Sequence, residues 1–501
     1  MRTVNLFATA LLAAWCGTAA AVTRPNVVII YADDLGYGDL SCYGAHRVAT
    51  PNVDNLARQG VRFVNAHAAA ATSTPSRFSL LTGMYAFRQD GTGVANGDAA
   101  MIIDPGCYTL ADAFRDAGYA TAAIGKWHLG LGREAGRQDW NKPLDATPAD
   151  LGFDYSYIMA ATADRVPCVF IEDGMVACHD AAHPIEVSYT RPFDGVKTYR
   201  DDPSLAYKQQ SSHGHDMAVV NGIGRIGYMK GGGSALWRDE DIADSIVAHA
   251  VQFIGRQEGR PFFLYLATND IHVPRQPHER FRGKSPMGLR GEAIMQFDWT
   301  VGQVIKALEA AGQLGNTLVI VSSDNGPVVD DGYCDKAGEL LGDHTPWGGM
   351  RGTKYSAYEA GTRVPLIVSW PDAVAGGTVS GALVSQVDLL RSLAAVVGGT
   401  VPDGAARDSR DYSSALLGRD PEGREWVVEQ GYALAVRTGE WKYIAPSTYP
   451  AVVPWGAEVA TGCDTVPQLY RIGNEHENVA EQCPDVVRRM QALLDAVVAG
   501  D

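Results

Sequence analysis

Apolar and polar positions along this chain repeat one pattern four times: a short, strongly apolar run stops abruptly at polar residues capable of chemistry. Residues 26–31 end at Asp33-Asp34, and residues 119–124 at Gly125-Lys126-Trp127-His128. Residues 262–267 end at Asn269-Asp270-Ile271-His272, and residues 317–321 at Ser322-Ser323-Asp324-Asn325-Gly326. Runs of this kind predict strands buried on both faces, as in a parallel sheet. Helical patterns over residues 110–117, 239–257 and 293–311 lie between them. The alternation predicts an α/β fold, a large, mostly parallel sheet sandwiched by helices. Ligands of such sheets gather beyond the carboxyl ends of the strands, where all four polar clusters fall.

Residues 136–233 are rich in Asp, His, Pro and Gly with weak periodicity, which predicts long loops over that face, a common seat of specificity. The chain turns polar near residues 402–410. Beyond it, short strands at 425–433, 435–437 and 441–445 and a helix at 484–498 predict a small α+β unit. The expected division is a leader over 1–21, a catalytic domain over 22–405 and a C-terminal α+β subdomain over 406–501.

The leader is read from Arg2, an apolar run over 6–15 and Ala19-Ala20-Ala21 as a small-residue cleavage site. That run is shorter than the roughly 20 apolar residues a spanning helix needs. Trp15 sits where lipid attachment at Cys16 wants a small residue, which argues against a lipoprotein. The expected location is therefore periplasmic or secreted, with no membrane span. A chain of 501 residues has room for one large core and a smaller one. A net charge of -16 argues against nucleic acid, so an anionic ligand needs positive charge supplied locally. Without Cys16, seven of the eight cysteines are left, an odd number. Cys168 with Cys178 and Cys463 with Cys483 are near enough to close short disulfide loops, or else are buried thiols.

Asp33, Asp34, Asp324 and Asn325 offer only oxygen donors, which suits calcium and, less well, magnesium. Either pair alone would read as a helix cap or a solvated turn. In Ser73-Thr74-Pro75-Ser76-Arg77, the proline fits a first helical turn, placing Ser73 at a helix start that favours an anion. Plain capping explains Ser73 and Pro75 but not Arg77 with Leu81-Thr82-Gly83.

That stretch resembles the signature of the type I, arylsulfatase A-like sulfatases of the alkaline phosphatase superfamily. Gly125-Lys126-Trp127-His128-Leu129-Gly130, Asp270-Ile271-His272, Arg351-Gly352-Thr353-Lys354 and Tyr358-Glu359-Ala360-Gly361-Thr362-Arg363 resemble the family in the same order. The spacing of Lys126 and His128 lets both side chains point to one side of an extended segment. The resemblance implies that Ser73 is oxidised to formylglycine and that Asp33, Asp34, Asp324, Asn325 and residue 73 hold one calcium. Arg77 would hold the formylglycine hydrate, and Lys126 and Lys354 would bind sulfate. His128 would accept a proton, and His272 would protonate the leaving oxygen, a role imidazoles fill near neutral pH.

Ser rather than Cys at position 73 resembles bacterial sulfatases matured by a radical formylglycine-generating enzyme. The implied substrate is a sulfated sugar, with Arg165, His179, His213, His215 and Asp216 as candidates to read its hydroxyls and Trp347 as a ring to stack on. Two alternatives stay open. A phosphomonoesterase or phosphodiesterase of the same superfamily would place a metal-binding His where Asn325 stands. A non-catalytic sulfoglycan-binding protein would keep Ser73 unmodified.

Overall fold

A computed structural model describes residues 24–456 and 458–500. Its frame is a ten-stranded sheet built, in chain order, from β1 (Asn26–Ala32), β2 (Val61–Phe63), β3 (Ala120–Lys126), β4 (Tyr155–Met159), β5 (Phe170–Glu172), β6 (Met175–Val176), β7 (Phe262–Ala267), β8 (Thr317–Ser323), β9 (Leu366–Ser369) and β10 (Thr378–Ser380). Across the sheet they run β10-β2-β9-β8-β1-β7-β3-β4-β5-β6. The central five, β8-β1-β7-β3-β4, are parallel, and antiparallel β9 and β5 flank them. Every residue of β1, β3, β7 and β8 is buried, as their unbroken apolar character requires.

Register makes the strand ends level. Ala32 pairs with Ser323, Tyr31 with Ala267, and Ala267 with Gly125, so the clusters after β1, β8, β7 and β3 emerge along one edge. Gly125, at φ 98°, is required by that close packing, since a Cβ there would sit 1.9 Å from the Ala267 carbonyl oxygen. Helices α1 (Pro51–Gln59), α4 (Ile242–Gly255) and α5 (Gly288–Ala310) pack as one group. A second group contains α2 (Ser73–Thr82), α3 (Leu110–Asp116) and α6 (Leu389–Val396).

Several boundaries differ from the sequence expectation. α5 starts at Gly288 instead of 293, and β3 runs on through Lys126. Residues 136–233 are not loop alone: β4 completes the parallel core there, and β5 and β6 extend the sheet. All seven described cysteines are free thiols, so neither short disulfide loop forms. The proposed leader, Cys16 included, lies outside the described residues. Among the described residues no helix is long and apolar enough to cross a membrane.

Towards the C-terminus an antiparallel sheet follows, of β11 (Trp426–Gln430), β12 (Leu434–Thr438), β13 (Trp441–Ile444) and β14 (Gln468–Arg471). β14 was absent from the sequence reading. Helix α7 (Pro484–Ala499) buries Met490, Leu494 and Val497 in the same core as Val436 and Tyr443. The sheet is tied to the rest of the chain by backbone, with Ala71 N–H donating to Gln430 O at 2.8 Å and Gln430 N–H to Ala69 O at 3.0 Å. It is tied also by charge. Glu429 Oε1 meets His67 Nδ1 at 2.7 Å, and Lys442 Nζ lies 2.7 Å from Glu429 Oε2 and 3.5 Å from Glu359 Oε2, all fully or nearly fully buried.

Candidate active site

Ser73 is the first residue of α2, a helix buried along its whole length. Thr72 before it is extended and gives no side-chain cap, so the first-turn N–H groups stay available, as an anion site needs. The Ser73 hydroxyl accepts a hydrogen bond from Lys126 Nζ at 2.8 Å and lies 3.4 Å from both Asp33 Oδ1 and Asn325 Oδ1. Lys126 Nζ also donates to Asp33 Oδ1 at 2.7 Å. Burial pushes the Asp33 carboxyl up and the Lys126 ammonium down, each opposed by the other's charge.

Arg77 lies one turn along α2. Its Nε and Nη2 grip Asp324 Oδ2 at 3.1 and 2.7 Å, and Nη1 donates to the Tyr265 hydroxyl at 3.2 Å. Burial would raise the Asp324 carboxyl, but Arg77 and Lys126 hold it well below the usual carboxylate range. Asp324 Oδ1 takes the Asp34 backbone N–H at 3.2 Å. Arg77 is thus joined to the site through Asp324.

Lys354 Nζ bridges Asp34 Oδ2 and Asp331 Oδ2, each at 2.9 Å. Burial lowers its ammonium, but Asp331 and Asp34 overcome this and keep it firmly charged. His272 Nδ1 meets the Val273 carbonyl at 2.6 Å and so carries the proton, leaving Nε2 3.7 Å from Asp34 Oδ2. His128 sits in a left-handed turn at φ 57°, so the segment is not extended at that residue. The turn is held by Thr74, whose hydroxyl donates to His128 O at 3.1 Å. His128 Nε2 donates to Ala95 O at 2.9 Å, which leaves Nδ1 an unpartnered, buried acceptor. Burial, then the positive Lys126, holds this imidazole well below its usual range, so it is neutral.

The donor set fits a hard divalent cation. Asp33, Asp34 and His272 present ligand atoms within 4.8 Å of one another, and Asp33 Oδ2 is buried with no hydrogen-bond partner. Asn325 completes the group through its amide, whose Nδ2 donates to Asp34 Oδ1 at 2.8 Å. His272 stands beside the oxygen donors named from the sequence, and Asp324 Oδ2 is gripped by Arg77. Asp33, Asp34, Asp324 and Asp331 set four carboxylates against the three cations Arg77, Lys126 and Lys354, a balance that favours a further positive ion.

Ser73, His128, His272 and Lys354 line one pocket. Arg165, His213 and His215 line it too, as the loop reading expected. Arg165 Nη1 and His215 Nε2 both contact Asp164, at 2.8 and 2.9 Å. His179 is not among the lining residues and bonds to Asn141 at 3.2 Å, and Asp216 pairs with Arg200. Trp347 does not line the pocket either; the aromatic wall is Tyr355, Tyr432 and Trp455. Asp164, Asp331 and this wall escaped the sequence reading. The doublet Asp330-Asp331, soon after the Asp324-Asn325 strand end, was a usable signal; the aromatics carried none.

A mostly parallel α/β sandwich places a buried, metal-competent cluster at the carboxyl edge of its strands. The sulfatase family model matches residues 25–399: the chain belongs to the sulfatase family and is a sulfuric ester hydrolase. It is 50% identical over 479 residues to the N-acetylgalactosamine-6-O-sulfatase of Bacteroides thetaiotaomicron, covering 95% of this chain and 93% of that one. Human arylsulfatase A is 32% identical over 446 residues, covering 86% and 77%. A solved Bacteroides thetaiotaomicron structure, from work on the metabolism of multiple glycosaminoglycans, matches with a TM-score of 0.93 at 50% identity, covering 95% of this chain and 100% of that one.

Proposed function

We propose that this enzyme removes a sulfate ester from a sugar, in particular the 6-O-sulfate of an N-acetylgalactosamine unit, using formylglycine made from Ser73 and one bound calcium. The carrying observation is that a chain half identical to an N-acetylgalactosamine-6-O-sulfatase along 95% of its length presents Ser73 to Lys126 at a buried helix start. Formylglycine hydrate would supply a nucleophilic hydroxyl and a second hydroxyl for release of sulfate, which an unmodified serine lacks, and calcium would supply charge against the sulfate oxygens. Asp33, Asp34, Asp324, Asn325 and residue 73 would hold the calcium. Asp324 fixes Arg77 and takes the Asp34 N–H, which sets the geometry of that group.

Lys126 and Lys354 bind sulfate oxygens and stabilise the charge that develops on them. Neutral His128 accepts a proton at Nδ1. His272 gives a proton to the departing sugar oxygen. Arg165, His213 and His215 line the pocket where the sugar would lie, and Trp455 offers a ring face for it. Substrate is then a sulfated carbohydrate, and a radical formylglycine-generating enzyme is the maturation partner. The leader reading places the working enzyme outside the cytoplasm.

The test is an assay on position-defined sulfated sugars after co-expression with that maturation enzyme, with mass analysis of the peptide containing Ser73. The expected result is release of sulfate from 6-sulfated N-acetylgalactosamine and a Ser73 peptide lighter by a pair of hydrogens. Full activity with unoxidised Ser73 would overturn the mechanism. Hydrolysis of phosphate esters alone, or binding without turnover by oxidised protein, would overturn the reaction.

A further inference from the structure

The pocket carries an anion where an anionic ester must bind. Asp331, on the segment after β8, is 7% exposed and lines the pocket with Lys354 and His272. A carboxylate there repels sulfate, so its presence needs an offsetting role.

Its bonds indicate one. Asp331 Oδ2 accepts from Lys354 Nζ at 2.9 Å, and both carboxylate oxygens accept from the Tyr355 hydroxyl at 3.1 Å. An ammonium has three N–H donors. Lys354 directs one at Asp331 and one at Asp34, which leaves the third to aim. Asp34 belongs to the metal-competent group, so a cation and Lys354 draw on the same carboxylate. Asp331 is the partner of Lys354 outside that group. Tyr355 sits at φ 74°, a left-handed conformation that a side chain of this kind disfavours. Lys354 N–H to Pro327 O at 2.7 Å holds the bend against the segment after β8, and Tyr355 N–H to Ala71 O at 2.8 Å holds it against the segment entering α2.

We propose that Asp331, with Tyr355, is a positioning residue that aims the Lys354 ammonium at the bridging oxygen of the bound ester. The assignment rests on the sulfatase mechanism proposed above. As the sulfur–oxygen bond to the alcohol breaks, its electron pair passes to that oxygen, which takes a proton from His272 while Lys354 keeps its own. An aimed ammonium matters most when the alcohol is a poor leaving group, such as a sugar, and least when it is a phenol.

The experiment measures kcat and KM for Asp331→Asn and Tyr355→Phe on a sugar 6-sulfate and on 4-nitrophenyl sulfate. For Asp331→Asn, kcat on the sugar sulfate should fall about 100-fold and on the aryl sulfate less than about 10-fold, with KM changed by less than about threefold. Tyr355→Phe should show the same bias with a smaller loss, and it carries the test should Asp331→Asn fail to fold. Equal losses on both esters, a loss confined to KM, or no loss would overturn the assignment. If wild-type enzyme cleaves the aryl ester but not the sugar ester, the substrate reading fails instead. A simple alkyl sulfate then serves as the poor leaving group, and the same comparison decides the role of Asp331.

Discussion

His128 is kept neutral by burial and by the charge of Lys126, and the same environment makes it a stability sensor. The folded chain refuses a proton that the unfolded chain takes up below about pH 6.5. The stability this side chain contributes is therefore complete above that pH and is lost as pH falls, at up to about 1.4 kcal/mol per unit. Urea unfolding at about pH 7 and about pH 5.5 should show a shallower acid loss for His128→Gln than for wild type; equal losses would contradict the placement of this ring. Residues that end buried strands, such as Asp33, Asp34, Lys126, Asp324 and Asn325, were legible because sheet register alone brings them together. His179 and His213 looked alike in the sequence, yet only His213 reaches the pocket. Their positions depend on how loops fold over the sheet, which local pattern does not encode.

At the scale of elements, α2 carries the most constraint. Its start presents Ser73, and its end is closed by Gly83, at φ 63°, whose N–H donates to Ser79 O at 2.9 Å. A Cβ on Gly83 would also approach Ala406 Cβ to 2.7 Å. Gly83→Ala should therefore cost about 1–2 kcal/mol from backbone conformation alone, with more from the contact. Thermal unfolding checks this: a midpoint unchanged from wild type would mean the helix end relaxes freely. The Ser-Thr-Pro-Ser-Arg pattern announced this helix, but not its complete burial, because its serines, threonines and Arg77 find partners only in the assembled fold. Strands β2 and β10, three residues each, were invisible for a related reason: they are strands only because β9 and each other lie alongside.

For the molecule as a whole, the cluster of His67, Glu359, Glu429, Arg437 and Lys442 joins the C-terminal sheet to the larger one. Burial alone would raise both glutamates, yet Lys442 and then His67 hold Glu359 well below its usual value and Glu429 down at about 2. Lys442→Met leaves these carboxylates short of a cation and should cost about 3–5 kcal/mol. Denaturant titration should show this loss within one cooperative transition. Two separate transitions in wild type would mean the sheets unfold independently. The main parallel sheet could be read from the chain because each central strand is an unbroken apolar run. This joint could not, since its charges come from three distant stretches of chain, at His67, at Glu359 and over residues 429–442.

The burial of α2 bears finally on the order of events in the cell. Ser73 is 3% exposed at the head of a helix enclosed on every side. A modifying enzyme has to draw its target peptide into its own active site, and here that would require unwinding α2 from the core. On the function proposed above, oxidation of Ser73 would have to race the folding of the chain: a molecule that folded first would keep its serine. The fraction of active enzyme in a cell would then report how long this segment stays open before the fold closes, a kinetic quantity that no property of the finished fold records.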